Sequence, residues 1–145
     1  MQVDFYQLSH DPVERVLPVI AQRILDGGGR LLVVAADDAR LDNLSQALWN
    51  AAPESFLAHG RAGGDHPDVQ PILLSADCEA ANGARHIALI DGTWRDEALE
   101  FDRVFYFFDA ESIDAARASW RVLSKDEGVE PRFWRQDGRR WVQGP

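Results

Sequence analysis

Arg117 and Arg121 stand four residues apart with Trp120 beside them, a spacing that puts both guanidinium groups on one face of a helix. Guanidinium groups hold carboxylates through forked pairs of hydrogen bonds, so two of them on one face suit an acidic ligand. Other charges gather nearby. Residues 113–145 contain seven basic side chains (Arg117, Arg121, Lys125, Arg132, Arg135, Arg139, Arg140) and five acidic ones (Asp114, Asp126, Glu127, Glu130, Asp137). The segment is therefore +2 in a chain of −9, which leaves −11 on residues 1–112. It reads either as a solvated helix face followed by a charged hairpin, or as a basic patch that receives an acidic partner. The overall −9 opposes a surface that tracks phosphates, so no strong direct binding of DNA is expected.

The other candidates for chemistry read as structure. Gly27-Gly28-Gly29 follows a predicted helix and precedes a predicted strand, the reverse of a phosphate loop, and reads as a helix cap and turn. The single lysine, Lys125, is not part of a Gly-Lys-Ser/Thr sequence, so a Walker-type ATPase is opposed. His10, His59, His66 and His86 never fall three or four residues apart, and no metal is expected. Cys78, flanked by Asp77 and Glu79, should have a raised thiol pKa, the opposite of what a nucleophile needs. Asp91-Gly92-Thr93 reads as a turn after a strand. Neither a cofactor nor catalytic residues are expected.

The elements that must position Arg117, Trp120 and Arg121 follow from periodicity. Val3 to Leu8 alternates as a strand, and Asp11 with Pro12 opens a helix to about Asp26 whose apolar face is Val13, Val16, Leu17, Ile20, Ile24 and Leu25. Pro18 should kink or tighten its early turns. Leu31 to Ala35 is an uninterrupted apolar run of the type that parallel sheets bury on both faces. Asp37 or Asp38 caps a second helix bearing Leu41, Leu44, Ala47 and Leu48, which Pro53 stops, and residues 54–69 read as a loop. Trp49 reads as core packing. Ile72–Leu74, Ile87–Ile90 and the strongly β-biased Val104–Phe108 read as strands, the last of them central. A helix from Asp109 or Ser112 to about Lys125 carries the arginine pair, and 131–142 reads as two short strands turning at Asp137-Gly138.

With 145 residues and 46% hydrophobic content, one domain over 1–145 is expected. The alternation of helices and buried strands predicts an α/β fold of three layers, a mainly parallel sheet with helices on both faces. One cysteine, no basic leader and no apolar run long enough to span a bilayer predict a cytoplasmic protein without membrane contact.

Ala47-Leu48-Trp49 followed by Pro53-Glu54-Ser55-Phe56-Leu57-Ala58-His59 resembles the chi subunit family of the bacterial DNA polymerase III clamp-loader complex. Phe5-Tyr6-x-Leu8 is similar to the family's first strand, Gln70-Pro71-Ile72-Leu73-Leu74 to its central strand, and Arg117-Ala118-Ser119-Trp120-Arg121 to its Arg-x-x-aromatic-basic helix. The resemblance implies a nucleotide-binding-like fold without a phosphate loop and an accessory subunit without catalysis. It also implies binding of the acidic C-terminal tail of single-stranded DNA-binding protein and, in some bacteria, a small psi subunit joining it to the clamp loader. Carried over by position, Arg117, Trp120, Arg121 and Phe56 would contact the tail, with Trp120 where Tyr is familiar and Arg121 where Lys is common. Phe56 also has an ordinary core reading, and Arg132, Arg135, Arg139 and Arg140 are candidates for the rim. The rival expectation is a small α/β enzyme or nucleotide-binding protein with a cleft at the C-terminal ends of its strands.

Overall fold

The computed structural model describes residues 1–51, 57–138 and 140–144. Eight strands form one sheet in the order β3-β4-β2-β5-β6-β1-β7-β8. They are β1 (Gln2–Gln7), β2 (Leu31–Val34), β3 (His59–Arg61), β4 (Ile72–Ser75), β5 (His86–Leu89), β6 (Arg103–Phe108), β7 (Glu130–Asp137) and β8 (Arg140–Gln143). Every pairing is parallel except β7 with β8. The helices are α1 (Val13–Asp26), α2 (Asp38–Asn50) and α3 (Ile113–Leu123).

The helices divide between the two faces for a reason of handedness. α1 and α2 connect strands that step toward the β3 edge, whereas α3 connects β6 to β7 in the opposite direction. Right-handed crossovers must then lie on opposite faces. On one face Leu17, Ile20, Leu41, Leu44 and Leu48 cover Leu31, Val33, Ile72, Leu74 and Phe107. On the other, Ala116, Trp120 and Leu123 of α3 cover Val3, Phe5 and Phe108, and Ala84 from a loop and Ala98 from the short 3-10 helix Asp96–Glu100 pack in the same layer. β2 and β4 are buried along their whole length, as their continuous apolar runs require. The expected three layers are present.

Local chemistry departs from expectation in three places, at Asp11, in residues 54–69 and at Trp49. Asp11 does not cap α1. Pro12 holds the cap position, where its ring has no acceptor to offer, and Gln136 of β7 ties down the preceding loop. Its Oε1 accepts from the amides of Ser9, His10 and Asp11, and its Nε2 donates to the Asp11 carboxylate at 3.2 Å. α1 runs as one helix through Pro18. The expected loop of 54–69 contains β3, a three-residue edge strand lacking β-branched residues. Arg61 anchors it to Asp42 and Asp38 of α2 at 2.7 and 2.8 Å. Trp49 is 55% exposed rather than core, set edge-on to His59 at 5.0 Å between ring centres. The buried stripe of α2 is Leu41, Leu44 and Leu48, and Trp49 follows Leu48 by one residue, about 100° around the helix. Asp37, by contrast, caps α2 through the amide of Ala39 at 2.9 Å.

Candidate functional site

α3 and the strands beneath it frame a groove enclosing about 410 Å³. Three strands build its floor. Phe5 pairs in register with Phe133 of β7, and on the other side Gln7 pairs with Phe108 of β6, so the side chains that alternate toward α3 are neighbours across the sheet. Ile113, Ala116, Arg117, Trp120 and Arg121 of α3 complete the lining. Ala116 and Leu123 are buried and seat the helix, while Arg117 and Arg121 are exposed one turn apart along the rim.

Trp120 belongs to the wall rather than to open solvent. Its ring meets Phe5 edge-on at 5.1 Å and 76°, and Phe133 edge-on at 6.1 Å and 86°. Such edge-to-face contacts fix the indole against the floor and leave part of it accessible. The two arginines are nearly uncommitted. Arg117 has only a loose contact with Asp114 at 3.9 Å, between side chains 67% and 97% exposed. Among the described residues Arg121 has no ion pair. A groove with an apolar floor and two available guanidinium groups can take a hydrophobic side chain below and a carboxylate above.

Three of the four residues singled out from the sequence therefore come together: Arg117, Trp120 and Arg121. Phe56 lies outside the described residues, as does Arg139. Leu57, next along the chain from Phe56, packs in the α1–α2 layer on the other face of the sheet. The floor residues Phe5, Phe108 and Phe133 and the neighbouring Gln7 were not singled out. Alternation marks which face each residue takes, but only the insertion of β1 between β6 and β7 makes them neighbours.

The C-terminal ends of β2 and β5 are tied together by the protein's own charges. The strand order reverses between β2 and β5, and the crevice beyond their C-terminal ends is the usual ligand position of open α/β sheets. Here Asp91, just past β5, reaches across and accepts from the Ala36 amide just past β2 at 3.0 Å. Arg95 clamps the same carboxylate with two bonds of 2.9 Å, and the pair is only 14% and 11% exposed. Burial pushes the Asp91 carboxyl up, but the bonds from Arg95 and from the amides of Ala36 and Thr93 outweigh it and hold it below the usual range. The Thr93 bond and the left-handed Gly92, φ +75, make Asp91-Gly92-Thr93 a turn, as expected.

Three of the remaining candidates have structural explanations: the glycine run, His59 and Cys78. Gly27, Gly28 and Gly29 donate to the carbonyls of Arg23, Leu25 and Ile24 and close the end of α1, with Gly28 left-handed at φ +82. His59 lies between Ser45 Oγ at 2.8 Å and the Leu57 carbonyl at 2.9 Å. Burial, more than the nearby carboxylates, pushes the Cys78 thiol up. Among the described residues no three His, Cys, Asp or Glu side chains gather as a metal site, and no helix is long and apolar enough to cross a membrane.

The class defined by these features is an α/β scaffold with an ion pair, Asp91–Arg95, past the ends of its central strands and, under α3, an aromatic groove with a cationic rim. The chain belongs to the DNA polymerase III chi subunit family, HolC, whose model matches residues 1–132. It is thus a member of a family of accessory subunits of DNA replication. No curated protein matches it.

Proposed function

We propose that the groove between α3 and β7 receives the acidic C-terminal tail of single-stranded DNA-binding protein, and that the chain serves the DNA polymerase III clamp-loader complex as a subunit without catalysis of its own. The observation that carries this is the pair Arg117 and Arg121 over a floor of Phe5, Phe108 and Phe133. A chain end is a carboxylate attached to its last side chain, so a terminal apolar residue can enter the groove only with its carboxylate at the rim. Two guanidinium groups one helical turn apart meet that charge and the acidic side chains preceding it. Through this contact the polymerase assembly would be held to coated single-stranded DNA, with a psi subunit as a further partner in organisms that have one.

The rival, a nucleotide-binding protein or small enzyme, is disfavoured by the Asp91–Arg95 pair, which sets a carboxylate at the C-terminal ends of β2 and β5, where open α/β sheets usually bind their ligands. The deciding experiment is a titration, by fluorescence anisotropy, of a labelled acidic peptide ending in Phe, with a free and with an amidated C-terminus. The free acid should bind in the micromolar range or better, and amidation should weaken it severalfold. Equal binding of both forms would remove the proposed recognition. Thermal stabilisation by nucleotides and not by the peptide would favour the rival.

A further inference from the structure

We infer that Arg135 and Arg140 extend the cationic rim of this groove along the β7–β8 hairpin and select acidic side chains upstream of the tail's last residue. The inference rests on the tail-binding reading above and assigns a second contact zone to it. Strand alternation puts Phe133 and Arg135 on the same face of β7, and Arg135 pairs in register with Gln7, which itself lines the groove. Arg135 therefore stands at the groove's mouth. Across the hairpin Val142 pairs with Arg135 and Arg140 with Asp137, so Arg140 emerges on that same face one strand further out. Both arginines are exposed, and among the described residues neither makes an ion pair, with Asp137 the carboxylate opposite Arg140. Arg132 is different. It lies in register with Asp4, on the other face, and its guanidinium is turned to Glu130 at 3.4 Å.

The spacing gives the inference its specificity. Arg135 is two residues beyond Phe133, about 7 Å along the strand, and Arg140 is two residues further and one strand over, roughly 14 Å from Phe133. An extended peptide advances about 3.3 Å per residue, so these charges match positions about two and four residues before the one seated on the floor. The family match ends at residue 132, which puts Arg135, Arg140 and all of β8 beyond it. The contact zone lies in the C-terminal segment beyond the matched residues.

The test uses two ten-residue peptides ending in Phe with a free carboxylate, one with Asp at the second and fourth positions before Phe and one with Asn at both. Each is titrated by anisotropy against the full chain, the Arg135→Gln/Arg140→Gln double variant, the charge-keeping Arg135→Lys/Arg140→Lys variant, and Arg121→Ala. Melting curves establish that each is folded. The wild type should prefer the Asp peptide by about three- to tenfold, the range for two exposed ion pairs. The Gln double variant should lose that preference while keeping its affinity for the Asn peptide, the Lys variant should retain most of it, and Arg121→Ala should weaken both peptides. A Gln double variant that still prefers the Asp peptide as wild type does would overturn the hairpin's role while leaving the groove intact. Failure of the wild type to bind either peptide would remove the tail-binding reading, and this inference with it.

Discussion

Trp120 stands edge-on to Phe5, their ring centres 5.1 Å apart, so a residue lining the groove beside the two rim arginines is also one that holds α3 against the sheet. Recognition and stability meet in one side chain. Trp120→Ala should cost about 2–4 kcal/mol of unfolding free energy, somewhat below the range for a fully buried aromatic because the ring is partly accessible. Trp120→Tyr should cost under about 1.5 kcal/mol, because a ring that can still meet Phe5 edge-on remains. Urea denaturation of the three proteins measures both. An alanine variant as stable as the wild type would mean that α3 is held by Ala116 and Leu123 alone.

Arg117 and Arg121 are expected to contribute to binding and little to folding, being exposed with at most one loose ion pair between them. Arg121→Ala should weaken tail-peptide binding by about 1–3 kcal/mol, with melting temperature almost unchanged. Raising salt should weaken the wild-type complex and narrow its difference from the variant. Calorimetric titration at two ionic strengths is the measurement, and a gap that does not narrow would point to packing rather than charge.

Asp91→Ala should destabilise the fold by about 3 kcal/mol, since it leaves the largely buried Arg95 guanidinium and the Ala36 amide without their partner. The pH sign follows from the native carboxyl lying below its unfolded value of about 3.9. The contribution is complete above about pH 4 and is lost as pH falls through the native value. Acid titration of stability should therefore show a drop in the wild type that is smaller in Asp91→Ala.

His86 predicts a separate window. Burial, with Arg103 nearby, lowers its pKa against an opposing pull from Asp102, and its Nδ1 is buried without a hydrogen-bond partner. The native value lies below the unfolded one, so the stability contributed is complete above about pH 6.5 and falls as pH drops through the native value. Melting temperatures recorded from about pH 7.5 to about pH 5 should decline in the wild type and be flatter in His86→Gln.

Duplex DNA alone should bind no more tightly than about 1 µM at physiological salt, because the chain carries −9 and only seven of its 15 basic residues lie in the +2 segment 113–145. Sub-micromolar binding in an anisotropy titration without partner proteins would return direct DNA contact to consideration.

The core elements were legible because each carries its own signal. The continuous apolar runs of β2 and β4, the aromatic run of β6 and the leucine stripe of α2 declare strand or helix without reference to the rest of the chain. β3 could not declare itself, since His59, Gly60 and Arg61 owe their strand geometry to the edge of β4 and to Asp38 and Asp42. The site divided in the same way. Arg117, Trp120 and Arg121 share one helix, so spacing alone assembles them. Phe5, Phe108 and Phe133 lie on three strands, and nothing local says that β1 will be inserted between the other two. Asp11 is not the cap, and its partner Gln136 arrives from the far end of the chain.

The position of β1 also sets an order of events. Its residues leave the ribosome early, yet Gln2 finds its neighbours only in Arg103 and Glu130. β2, β3, β4 and β5 are mutually adjacent and can assemble while β6 and β7 are still unmade. Meanwhile Val3, Phe5 and Tyr6, fully or almost fully buried at the end, have no place to go. A nascent chain stalled before β7 would hold this apolar strand unpaired on one side, a template for wrong pairing and a natural substrate for chaperones. Closing the sheet over β1 is the same step that brings Phe133 under Trp120, so the groove is finished only when the fold is.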